Sequence, residues 1–102
     1  MFYSLEDIRR AVVPIIQLDA QDLRRVIVFG SYAQGTQTPD SDLDLYVDGR
    51  LEYHLGDSKD TEQKVSEALS IPVDLITRSA LATSVIRDKL EQSIEKGILL
   101  YG

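Results

Sequence analysis

Residues Gly30 to Asp48 read GSYAQGTQTPDSDLDLYVD, and this stretch decides the fold. Its second half alternates strictly: Leu43, Leu45 and Val47 fall between Asp42, Asp44, Tyr46 and Asp48. A period of two is that of a strand, with aliphatics on one face and acids on the other. Asp42 and Asp44 therefore project from the same face, roughly 7 Å apart along the backbone at ~3.3 Å per residue. Two adjacent carboxylates repel each other unless a cation sits between them, and Mg²⁺, which prefers carboxylate and phosphate oxygens, fits that role.

The first half supplies a different chemistry. The apolar run Val26 to Phe29 reads as a buried strand that ends at Gly30, where the chain opens into a loop with one helical turn after Ser31 and a stop at Gly35. A glycine at a strand end permits close backbone approach, and a serine starting a helical turn offers a hydroxyl and an amide to phosphate oxygens. Gly30 and Ser31 are thus candidate nucleotide-binding residues.

Working outward, Ser4 is a suitable N-cap for an amphipathic helix carrying Leu5, Ile8, Val12, Ile15 and Ile16, with Pro14 a candidate kink or early stop. A helix capped by Asp57 or Ser58 carries Val65, Ala68 and Leu69, and a third strand is expected over Ile71 to Ile76, opened by Pro72 and interrupted by Asp74. A last helix carries Val85 or Ile86, Leu90 and Ile94 and stops at Gly97, before a short strand from Ile98 to Tyr101. Residues 49 to 56 carry no clear pattern. Helices alternating with strands predict an α/β (α+β) fold, a small mixed sheet covered mainly on one side. An acid inside an apolar strand is costly to bury alone, so Asp74 is expected beside Asp42 and Asp44, where three carboxylates could hold two metal ions and Asp74 could accept a proton from an attacking hydroxyl.

Bulk properties narrow the choices. A chain of 102 residues has room for one domain, residues 1–102, with one core. No apolar run nears the ~20 residues of a membrane span and the N-terminus lacks a signal-peptide layout, so a cytoplasmic protein without membrane contact is expected. The absence of cysteine and the single histidine, His54, exclude thiolate and histidine metal clusters, leaving oxygen as the ligand. A net charge of −6 argues against general nucleic-acid binding.

Competing motifs fail on register. Gly30 and Gly35 have the glycine spacing of a P-loop, yet Thr36 and Gln37 stand where lysine and a hydroxyl residue are required. Asp40, Asp42 and Asp44 begin like a calcium loop, but Leu45 and Leu51 occupy its glycine and glutamate positions. Taken singly, each residue has an ordinary reading: a solvated strand face for the aspartates, a turn glycine for Gly30, packing for Tyr32, Tyr46 and Tyr53, and a surface loop for His54.

Gly-Ser, ten intervening residues, Asp-x-Asp and a third acid on a later strand resemble the nucleotidyltransferase superfamily that includes DNA polymerase beta. The likeness spans nearly the whole chain and is closest to the short prokaryotic minimal nucleotidyltransferases (MNT). The resemblance implies Mg²⁺-dependent transfer of a nucleoside monophosphate, AMP from ATP, to a hydroxyl. By it, Asp42, Asp44 and Asp74 are the catalytic and metal-binding residues, and Gly30 and Ser31 hold the triphosphate. It also implies a HEPN-family toxin as partner, with a tyrosine of that toxin as acceptor. Gln34 stands where many relatives carry a basic residue. The alternatives are accordingly an antitoxin of the same fold that acts by binding alone, or an enzyme acting on a small hydroxylated molecule of the aminoglycoside type.

Overall fold

The computed structural model describes residues 3–20, 22–38, 40–50 and 57–102. Tyr53, His54 and the patternless segment from 51 to 56 lie outside them. The elements follow in the order α1 (Leu5–Asp19), β1 (Asp22–Phe29), α2 (Ser31–Gln34), β2 (Leu43–Arg50), α3 (Asp57–Leu69), β3 (Val73–Thr77), α4 (Arg78–Ala82), α5 (Arg87–Glu95) and β4 (Ile98–Tyr101).

Helix α1 starts where its cap predicts. The Ser4 hydroxyl accepts from the Asp7 amide and the Asp7 carboxylate accepts from the Ser4 amide, a reciprocal box that satisfies two otherwise orphaned donors. Pro14 does not end the helix. It lies on the exposed side, where water can take the carbonyl that proline leaves unpaired. Ile8, Val12 and Ile16 form the buried stripe.

The four strands form one mixed sheet in the order β3-β2-β1-β4. Strand β1 pairs antiparallel with both β2 and β4, while β2 pairs parallel with β3. Alternation along the strands sorts side chains cleanly. Val26, Val28, Leu43, Leu45, Val47 and Leu100 enter a main core with α1 and α3. Ile27, Phe29 and Tyr46 face the other way and pack with Leu81 of α4 and with Leu90 and Ile94 of α5.

The sheet is therefore covered mainly on one side, as expected, with a smaller second layer over part of the opposite face. Helix α4, capped by the Thr77 hydroxyl, is an addition to the sequence-based reading, and Val85 lies fully exposed ahead of α5 instead of opening it. Helix α3 already includes Asp57, one of the two residues expected to cap it.

Candidate functional site

The second face of the sheet is organised in three tiers. Phe29 of β1 pairs with Asp44 of β2, which pairs with Asp74 of β3, and these make the first tier at the open end. Ile27, Tyr46 and Ile76 make the second, under α4 and α5. Arg25 and Asp48 make the third, where Arg25 Nε and Nη2 donate to Asp48 Oδ2 at 3.2 and 2.9 Å and Arg78 Nη1 stands 3.8 Å from Oδ1.

Asp44 and Asp74 are direct neighbours across the parallel pair, so both carboxylates leave the same face one strand spacing apart, about 4.8 Å. Asp42 precedes β2 by one position and extends this row from the loop. That loop is pinned just before it: the Thr38 amide donates to Ser41 Oγ at 2.8 Å, and the Ser41 amide to the Thr38 carbonyl at 3.0 Å. Asp42 and Asp74 are exposed and Asp44 is half-buried.

Asp74 thus departs from one expectation. It stands on an edge strand facing solvent, so its charge carries little burial cost. Its backbone is held from outside instead: Glu62 of α3 accepts a hydrogen bond from the Leu75 amide at 2.9 Å on the free edge of β3. No periodicity in the sequence announces that contact.

Burial, with Asp74 and then Asp42 adding negative charge, pushes the Asp44 carboxyl up to about 6 from an ordinary 3.8. Every donor in this row is a hard oxygen, a set that suits Mg²⁺. The three side chains share a face without closing around a point: among the described residues no three acids, histidines or cysteines are gathered to hold an ion.

Gly30 follows Phe29 and turns with φ +71°, a conformation that favours glycine. A Cβ there would collide with Asp44 Oδ2. The glycine therefore lets the backbone pass directly against the central carboxylate. Its carbonyl accepts from the Ala33 and Gln34 amides to start α2, and no side chain caps that turn. Ser31 heads it, and Gly35, at φ +73°, ends it in the left-handed region where the sequence placed the stop. All five expected site residues fall at one end of the sheet, whereas Gln34 is exposed at the far end of α2. Tyr32 and Tyr46 are buried packing residues.

The sequence pattern of the nucleotidyltransferase domain matches residues 10–99. A Methanocaldococcus jannaschii protein, to which protein adenylyltransferase activity is ascribed by inference, is 31% identical over 72 residues, covering 71% of this chain and 74% of that one. A toxin–antitoxin complex solved with AMP-PNP contains a chain that superposes with a TM-score of 0.77 at 27% identity, covering 92% of this chain and 73% of its own. A structure assigned by inference as a minimal nucleotidyltransferase gives 0.70 at 31% identity, covering 94% and 95% of the two chains. With the family pattern spanning residues 10–99 and a relative 31% identical over most of both chains, the chain belongs to the nucleotidyltransferase domain family and is an enzyme of that class.

Proposed function

We propose that this chain transfers AMP from ATP, with Mg²⁺, to a hydroxyl of a separate protein, a tyrosine of a HEPN-family toxin, breaking the bond between the α-phosphorus and the β-phosphate and releasing pyrophosphate, and so acts as the antitoxin of the pair. The observation that carries the reading is the pairing of Asp44 with Asp74 while Gly30 packs against the Asp44 carboxylate. The ascribed protein adenylyltransferase activity of the archaeal relative and the toxin–antitoxin setting of the AMP-PNP complex support it.

In this reading Asp42 and Asp44 would hold the metal, with Asp74 as a further ligand. Mg²⁺ there would neutralise the triphosphate and polarise the phosphorus under attack. The Gly30 backbone and the Ser31 hydroxyl and amide position phosphate oxygens. Asp74, exposed on the edge strand, takes the proton from the acceptor hydroxyl as it attacks. Positioning and charge compensation lower the barrier, with no covalent intermediate on the protein.

Incubation with α-labelled ATP, Mg²⁺ and the purified product of the neighbouring gene should place label on that product. Asp42→Asn combined with Asp44→Asn should abolish labelling, by at least about 100-fold, while leaving the fold intact. Undiminished transfer by the double variant would reject the assignment. Inhibition of the toxin without label would point to masking by contact.

A further inference from the structure

The second tier continues sideways into a groove of about 450 Å³ between α5 and the β1–β4 side of the sheet. Ile27, Tyr46 and Leu81 form its floor, with Ile94 and Leu99 along the sides. Leu99 is 50% exposed, although its strand neighbours Ile98 and Leu100 turn into the main core.

The rim is acidic. Glu91 and Glu95 stand one turn apart on α5. Glu91 has only a half-exposed partner in Arg87, 3.6 Å away, and Glu95 has no ion pair among the described residues. Lys96, the C-cap residue of α5, is the cation at this helix end, and the two carboxylates outnumber it. The cation across the groove, Arg25, is committed to Asp48.

Resting on the reading above, we propose that this groove docks the acceptor protein, taking an apolar side chain flanked by lysine or arginine. Charge selects that occupant. A second copy of the chain would bring another net charge of −6 and the same carboxylates to the contact. Position gives the docking a purpose: Tyr46 lies two residues along β2 from Asp44, and Ile27 two residues along β1 from Phe29, so the groove floor is roughly 7 Å from the acid tier. A segment anchored there holds a neighbouring hydroxyl within reach of Asp44 and Asp74, supplying acceptor selection that no catalytic residue provides.

The test measures binding of the neighbouring gene's product by calorimetry without ATP. Glu91→Lys combined with Glu95→Lys should weaken it at least tenfold and leave Mg·ATP affinity within twofold of the native value. Because the chain has no cysteine, Leu99→Cys carrying a maleimide photocrosslinker offers a single attachment point, and it should cross-link to that product. Native-like binding by the charge-reversed variant, or absence of the cross-link, overturns the docking site. A cross-linked homodimer overturns it in favour of a second copy. Binding without label sinks the transfer reading alone, and failure of the native protein to bind the product sinks partner and groove together.

Discussion

Asp44→Asn should make the metal-free protein more stable at neutral pH, although it removes a central residue of the site. The native Asp44 carboxyl titrates at about 6 against 3.8 for the ordinary group, because burial and two neighbouring acids oppose its charge. A folded-state value raised above the unfolded one means that the native state holds the proton more tightly. That contribution is fully present below the unfolded value and is lost as pH rises through about 6.

The difference of 2.2 units corresponds to a ceiling of about 3 kcal/mol at ~1.36 kcal/mol per unit. Solvent reaches this half-buried group, which brings the expected penalty to about 1.5 kcal/mol, or on the order of 6–12 °C in Tm for a domain of this size. Asparagine keeps the shape without the charge, and no hydrogen bond or ion pair of Asp44 among the described residues is lost. Thermal melts in EDTA should show the variant above the native protein at pH 8, with the gap narrowing towards pH 5. A variant that melts below the native protein at pH 8, or a gap independent of pH, would refute the idea that Asp44 carries uncompensated charge.

Three further outcomes follow from the same geometry. Gly30→Ala forces a side chain into a positive φ and into the Asp44 carboxylate, and should cost about 2–3 kcal/mol in chemical denaturation together with nucleotide binding. Glu62→Ala strands the Leu75 amide on the β3 edge and should cost about 1–2 kcal/mol by the same measurement, whereas Glu62→Gln, which keeps an acceptor oxygen, should recover most of it. Ser4→Ala breaks the α1 box and should lower stability by about 1 kcal/mol with nucleotide binding unchanged.

The Asp-x-Asp strand, the helical turn between Gly30 and Gly35 and the stop at Gly97 were legible because local chemistry dictates each: alternation, left-handed backbone, chain reversal. The neighbourhood of Asp74 was legible too, since an acid in an aliphatic run needs a reason. The reason turned out to be an exposed edge instead of a paired interior. Strand β1 is longer than its apolar run because it pairs with β2 back to Asp22, and Arg25 there meets Asp48, a partner 23 residues away that no window reveals. Helix α4 was missed because its five residues are too few to show a period. The cover over the second tier was hard to see because α5 is polar apart from Leu90 and Ile94.

The parallel pairing of β2 with β3 also governs when in the life of the chain the site can exist. Strands β1 and β2 can zip together early, but Asp44 meets Asp74 only after about thirty further residues have emerged and crossed over, a closure that costs entropy before it returns any contact. A nascent or C-terminally clipped chain that stops short of β3 carries Gly30, Ser31, Asp42 and Asp44 but lacks the third acid. On the proposed assignment, nucleotide affinity would appear during synthesis before proton abstraction, and competence would arrive with completion of the crossover.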